Sequence, residues 1–436
     1  MPGGDSPGVG SSRRGAQRVP CNLDDLEDRL VEGAVVALRA DFNVPLNRSG
    51  IGESRGAEGT VRVSDASRIE RTLPSIDRLV AAGARVVILS HLGRPGGRSD
   101  SAFTLAPVAR CLDGLLTAPA GFVPHAVGSR VKRAVQAAKP GSVTLLENTR
   151  FLPGETANAT ALASDWATWA DHFVLDAFGT AHRAHASTCG LPRAVRAKGG
   201  MAVAGRLVER ELAVFADALD EPCRPFVAVI GGAKISGKID VIEALLPKVD
   251  ALLVGGAMAN TFFLAMGMET GASLVEAEKK EVATGVLETA GARLVLPVDC
   301  VTAPAIRAGA SARIVERTGI PADEAVGDIG PVSVRLFGQY LADAATVVWN
   351  GPMGVFEVDE FARGTVQVAR MAADAADRGA TVIVGGGDSA AASRAAGVAP
   401  RISHISTGGG ASLELLAGRE LPGVAALSGR RCRGDT

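Results

Sequence analysis

Aromatic side chains are scarce in this chain: one Tyr, three Trp and 13 Phe make up 4% of 436 residues. That leaves no interleaved aromatic and basic surface on which single-stranded bases stack. An excess of one charge is also missing. Lys and Arg number 46 against 47 Asp and Glu, a net charge of −1, so neither a nucleic-acid nor a membrane partner is expected. No apolar run approaches the ~18 residues a membrane span requires. Six cysteines are present, at 21, 111, 189, 223, 300 and 432, none in a CxxC pair or near a His at metal-ligand spacing. The pattern argues against a zinc site, predicts no disulfide framework and fits a reducing, cytoplasmic setting. The opening stretch MPGGDSPGVGSSRRGAQRVP lacks the apolar segment of a secretory signal. Residues 1–21 are expected to form a disordered tail. Sparse Arg and the lack of an amphipathic helix weaken the alternative of an organelle transit peptide.

What the chain has in quantity is the short apolar run that ends abruptly in polar residues or glycine. Runs rich in Val and Ile read as buried parallel strands. They are AVVAL (34–38), RVVILS (85–90), VTLL (143–146), HFVL (172–175), FVAVI (226–230), ALLV (251–254), RLVLP (293–297), TVVW (346–349) and TVIV (381–384). Helical patterns alternate with them, for example Asp65 to Ala82, with Ile69, Leu73, Ile76 and Leu79 on one face. The fold class expected is α/β: two Rossmann-like, doubly wound parallel-sheet domains facing each other across a cleft. The first domain is expected over 22–204, completed by the C-terminal stretch from about 416 to 436. An amphipathic helix over 205–221, with Leu207, Leu212, Phe215 and Leu219 near one stripe, is expected to join it to a second domain over 222–415.

The two halves differ in the residues that come directly after each strand. First-half strands run into charged or imidazole groups: Arg39, Asp41 and Asn43; His91 and Arg94; Glu147 and Arg150; then Asp176 on to His182, Arg183 and His185. Arg68 joins this set from the helix between. Guanidinium groups bind carboxylate and phosphate in a planar fork, so the cluster suits a small, multiply charged acid. Singly, each Arg is more often a surface or ion-pair residue; Asp41 and Asn43 could accept from a substrate hydroxyl, with an Asx-turn after the strand as their structural alternative. Placement after buried strands lifts the set, because open α/β sheets bind ligands there. For the histidines, charge complementation is a better reading than a general base.

Second-half strands run into glycines instead: Gly231-Gly232, Gly255-Gly256, Gly351, and Gly385-Gly386-Gly387 followed by Asp388 and Ser389. Thr407-Gly408-Gly409-Gly410 is a further glycine loop. Bare backbone N–H groups and helix N-termini suit phosphates. Asp388 is the acid beside these loops, hence the candidate ligand for nucleotide-bound Mg²⁺, with a helix N-cap as its structural alternative. Lys234 and Lys238 lie four apart, a spacing that on a helix puts both ammonium groups on one face. Gly232-x-x-x-x-Gly237-Lys238 nearly matches a P-loop, but Ile239 stands where the Mg²⁺-binding hydroxyl is needed.

Taken together, these residues resemble the phosphoglycerate kinase family. The motifs that carry the resemblance are RADFNVPL (39–46), SRIERTLPSI (67–76), SHLGRP (90–95), LLENTRF (145–151), DAFGTAHRAHAST (176–188), PFVAVIGGAKISGKIDVIEALLPKVD (225–250), VVWNGPMGVFE (347–357), VGGGDSAAA (384–392) and HISTGGGASLELLAG (404–418). The resemblance implies a monomeric hinge enzyme of glycolysis that transfers a phosphoryl group reversibly from 1,3-bisphosphoglycerate to ADP, giving 3-phosphoglycerate and ATP with Mg²⁺. It implies that Asp41, Asn43, Arg68, His91, Arg94, Arg150 and Arg183 bind the phosphoglycerate. Arg68 and Lys234 are implied to stabilise the transferring group. Lys238, Gly256, Glu357, Gly386, Gly387, Asp388 and Ser389 are implied to hold the nucleotide, Glu357 through the ribose.

The chain departs from the family pattern at Leu175, where Asn is expected, and at Val326-Gly327-Asp328, where Gly-Leu-Asp is usual. It departs also at Ala257, Gly237 and Ser389, and in an enlarged loop over 47–62. None of these removes a group that must carry charge, so an active enzyme is expected, with the adenine-side contacts the place most changed. A non-catalytic paralogue that binds nucleotide is the alternative these departures motivate.

Overall fold

A computed structural model of the chain describes residues 21–47 and 61–427. The expected tail and most of the enlarged loop lie outside the described residues. Two six-stranded parallel sheets organise the rest. The first is built from β1 (Val35–Ala40), β2 (Arg85–Leu89), β3 (Ala120–Val123), β4 (Val143–Leu146), β5 (His172–Asp176) and β6 (Ala202–Ala204), in the spatial order β3-β4-β2-β1-β5-β6. Its centre, β1, pairs in parallel with β2 on one side and β5 on the other, and is buried along its whole length. Burial on both faces is why such a strand reads as a continuous apolar run.

The second sheet contains β7 (Phe226–Ile230), β8 (Ala251–Val254) and β9 (Leu294–Val295). After the short strands β10 (Asp299–Ala303), β11 (Arg313–Glu316) and β12 (Ala325–Ile329), it resumes with β13 (Thr346–Asn350), β14 (Thr381–Gly385) and β15 (His404–Ile405). Its order is β9-β8-β7-β13-β14-β15, the 3-2-1-4-5-6 arrangement of dinucleotide-binding folds. Strand order reverses at β1/β5 in the first sheet and at β7/β13 in the second. Ligands lodge outside the carboxyl ends of strands at such points. Asp41 and Ala177 follow one pair, Gly231 and Gly351 the other.

Several local expectations need correction. Asp65 to Ala82 forms two helices, α1 (Ser67–Glu70) and α2 (Leu73–Ala81), because Pro74 has no N–H for a continuous helix and instead occupies the first turn of α2. Strands β10, β11 and β12 form a separate antiparallel sheet that the apolar runs do not foretell. Exposed and polar positions interrupt them, β11 above all. The connector α3 (Arg206–Asp220) buries Val208, Leu212, Phe215 and Ala218, leaving Leu207 only half-buried. The cysteine pattern misleads at one position: Cys21 is disulfide-bonded, whereas Cys111, Cys189, Cys223 and Cys300 are free thiols. Among the described residues no helix is long and apolar enough to cross a membrane.

Candidate active site

The strand ends of the first sheet open into a polar cavity of about 220 Å³. Asp41, Asn43, Arg68, His91, Arg94, Arg150 and Arg183 all line it, so the whole expected acid-binding set converges there. Four guanidinium groups face one carboxylate. Arg68 is ion-paired with Asp41. Arg150 Nη1 donates to the Gly93 carbonyl at 2.7 Å, and Asn43 Oδ1 accepts from the Gly93 amide at 2.9 Å, so the loop after β2 is held from both sides. Arg183 Nε lies 3.1 Å from His182 Nε2.

Arg39 takes no part in the cavity lining. It is fully buried beneath it, donating through Nε to Ser187 Oγ at 2.8 Å, with Nη2 3.2 Å from His91 Nδ1. A guanidinium only donates, so His91 Nδ1 accepts and the imidazole is neutral, with its proton on Nε2. Burial first, then Arg39, Arg150 and Arg68, hold the His91 pKa well below its ordinary value. The same causes, burial and then Arg150 and Arg39, depress His185 to about 4. Burial also draws Arg150 down to about 10, with Arg39 and Arg183 adding to it. The wall therefore carries its positive charge on Arg, with His91 neutral.

On the second sheet, a cavity of about 460 Å³ is lined by Gly232, Gly256, Ala257, Val326, Gly327, Glu357 and Asp388, among others. Of the expected nucleotide set, Gly256, Glu357 and Asp388 reach its surface. Ser389 does not: it is fully buried, and its Oγ accepts from the Gly351 amide at 2.6 Å. Lys238 bonds Asn350 Oδ1, with burial drawing its pKa down to about 8 against the opposing pull of Asp388. Lys234 and Lys238 do not share a helix face. Helix α4 (Ile239–Leu245) begins after both, and Lys238 is its N-cap. Lys234 is exposed in the preceding bend, where Glu276 ties down Ser236 through its amide at 2.9 Å and its hydroxyl at 2.5 Å.

The strand-end glycines serve packing as well as ligand approach. A Cβ at Gly256, which has φ +70°, would stand 2.6 Å from the Gly232 backbone. Gly387 differs: a Cβ there would meet nothing within 4 Å. It opens helix α5 (Gly387–Ala395), leaving clear space over that N-terminus beside Asp388. Asp388 fits a nucleotide-bound Mg²⁺, which commonly takes one or two carboxylates and completes its shell from phosphates and water.

The loop after β15 brings the second sheet to the basic cavity. Thr407, Gly408 and Gly409, from the loop after β15, line the basic cavity from the side of the second sheet. A Cβ on Gly409 would lie 3.3 Å from Gly386 Cα and 3.5 Å from Gly387 N. The basic cavity thus lies against the N-terminus of α5. In the sequence the 407–410 loop reads only as another phosphate loop; in the fold it is also the seam. Gly408 packs against Gly179, and a Cβ at Gly410 would stand 2.7 Å from His182 Nε2, so His182 serves as a packing partner between the halves. Glu211 of α3 accepts from the Thr407 amide and hydroxyl, both at 2.7 Å, and lies 2.8 Å from His404. Burial pushes its carboxyl up, but His404 and Thr407 outweigh this and hold it below its ordinary value. Its signal is present in the sequence: an acid on the buried stripe of an amphipathic helix, between Val208 and Leu212.

Leu175 is fully buried in the first-domain core, while Val326 lines the nucleotide-side cavity. Neither disturbs the basic wall, and nothing favours a non-catalytic paralogue.

Comparison with known proteins agrees with this geometry. The family model described as phosphoglycerate kinase matches residues 24–419. The chain is 48% identical over 406 residues to the phosphoglycerate kinase of Chlorobium phaeovibrioides, covering 92% of this chain and 98% of that one. It is 50% identical over 400 residues to that of Chloroflexus aggregans, covering 91% and 96%. The solved phosphoglycerate kinase of Coxiella burnetii superimposes with a TM-score of 0.80 at 38% identity, over 94% of this chain and 98% of that one. That of Pyrococcus horikoshii gives 0.76 at 30% identity, over 93% and 98%. With this fold and relatives matched over nearly their whole length, the chain belongs to the phosphoglycerate kinase family.

Proposed function

We propose that the chain transfers a phosphoryl group reversibly between 1,3-bisphosphoglycerate, held on the basic wall, and ADP, held over the glycine loops, producing 3-phosphoglycerate and ATP. The observation that carries this reading is the approach of Gly409, in the lining of the basic cavity, to Gly386 and Gly387 at the start of α5. Asp41, Asn43, His91, Arg94, Arg150 and Arg183 orient the phosphoglycerate. Arg68 and Lys234 neutralise charge on the transferring group. Lys238, Gly256, Glu357, Gly386, Gly387 and Asp388 hold the nucleotide, while Ser389 acts from behind by fixing the Gly351 loop. Asp388 would hold the nucleotide's Mg²⁺, which would supply charge neutralisation at the phosphate oxygens.

An acyl phosphate is already activated, and the acceptor in reverse is a carboxylate with no proton to lose. Neutral His91 and His185 suit such a reaction, in which positioning and charge neutralisation supply the rate. The proposed working unit is a cytoplasmic monomer. Its first domain spans 22–204 and is completed by the C-terminal stretch, α3 connects, and the second spans 222–415. In support of that return, α6 (Pro422–Ala425) bonds back to the first half, Gly423 N to Ala181 O at 2.8 Å and Arg196 Nη1 to Ala426 O at 3.1 Å.

ATP formation from 1,3-bisphosphoglycerate and ADP with Mg²⁺ tests the reading. Turnover is expected, with a fall of about 10³–10⁵ in kcat for Arg68→Ala, by analogy with other arginine clamps. Nucleotide binding without turnover in the unsubstituted chain contradicts it.

A further inference from the structure

Arg68 sits on α1, a helix of only four residues. So short a helix has little rigidity of its own, and its side-chain placement depends on what grips its ends. Both ends are gripped, in part by the opposite domain. At the start, Asp65 Oδ1 accepts from the Ser67 amide at 2.9 Å. At the end, Arg71 Nη1 donates to the Ile405 carbonyl at 3.3 Å. Ile405 lies on β15 of the second sheet, immediately before the loop that closes the basic cavity.

The element bearing Arg68 is therefore tied at its end to a strand of the second sheet. Arg71 is exposed. A single exposed hydrogen bond adds little to static stability, but it bears on where two domains come to rest.

We propose that Arg71 is a positioning residue: its bond to Ile405 registers α1 against the second domain so that Arg68 reaches the transferring phosphoryl group when the cleft closes. This rests on the role proposed for Arg68 and adds what aims it. Arg71 does not line the basic cavity, so each ligand alone should bind as before.

The test measures kcat, KM and the separate affinities for 3-phosphoglycerate and ADP in Arg71→Ala and Arg71→Lys. Arg71→Ala should lose about tenfold in kcat, as small misplacements of a reacting group do. Both separate affinities should stay within about twofold, and Arg71→Lys, which keeps a donor for the Ile405 carbonyl, should recover part of the loss. Unchanged kcat in Arg71→Ala, or a loss confined to the separate affinities, overturns the proposal. Arg68→Ala separates the two readings. If Arg68→Ala loses turnover while Arg71→Ala keeps it, the positioning claim alone fails; if Arg68→Ala keeps turnover, the role of Arg68 fails first.

Discussion

Lys238 shows how much a single side chain's surroundings set its chemistry. Burial outweighs the pull of Asp388 and brings its ammonium down to about 8. Nucleotide phosphates favour the charged form, so ADP affinity should hold below that pH and fall as pH rises through it. The KM for ADP, measured from about pH 7 to about 9.5, should climb on the alkaline side, and Lys238→Arg should flatten that climb, because a guanidinium stays charged. A profile as steep in Lys238→Arg as in the unsubstituted chain removes Lys238 from phosphate binding. At this scale the sequence was most legible where residue type and position agree. All seven residues expected to bind the acid converge, most because they come after a buried strand end and Arg68 from the helix α1. It was least legible where backbone packing decides. Ser389 reads as a nucleotide hydroxyl, yet it is sealed beneath the loop, bonded to the Gly351 amide.

Elements carry the coupling between halves. Helix α3 starts on a buried acid: Asp176 Oδ1 accepts from the amides of Leu207 at 2.9 Å and Val208 at 3.4 Å. Burial lifts Asp176 from 3.8 to about 7 against the pull of Ser75 and those amides. Between those two values the folded chain keeps a proton that the unfolded chain releases. Asp176 therefore makes stability fall as pH rises from about 4 to about 7, and its effect levels off above. Asp328, lifted from 3.8 to about 7 mainly by burial, acts with the same sign. Denaturant midpoints for Asp176→Asn should decline less across that window than those of the unsubstituted chain, since the amide keeps an acceptor for α3 without titrating. An equal decline rejects the assignment. Strand existence was readable from the apolar runs of the sheet centres. Edge strands such as Ala120–Val123 and the antiparallel trio were not, because they are short and partly exposed, with mixed composition.

For the whole molecule, two ligand walls on separate domains imply a moving hinge, since transfer needs reacting atoms about 3–3.5 Å apart. Glu211, Thr407 and His404 link α3 to the loop at the seam, which makes that loop the natural place for motion to register. The radius of gyration from X-ray scattering should shrink when both 3-phosphoglycerate and nucleotide are present, and less with either alone. Identical profiles in all states count against closure. The two-domain plan was visible in the contrast between basic and glycine strand ends. The seam was not, because it depends on which glycine of one loop touches which glycine of another.

The most direct measurement is a crystal structure with MgADP, 3-phosphoglycerate and a planar metal-fluoride mimic of the transferring phosphoryl group. The mimic should lie in line between the acid and the nucleotide, beside the Gly387 amide, with Arg68 and Lys234 on its fluorines. A mimic bound away from the Gly409–Gly387 seam, or an acid bound off the basic wall, contradicts the account.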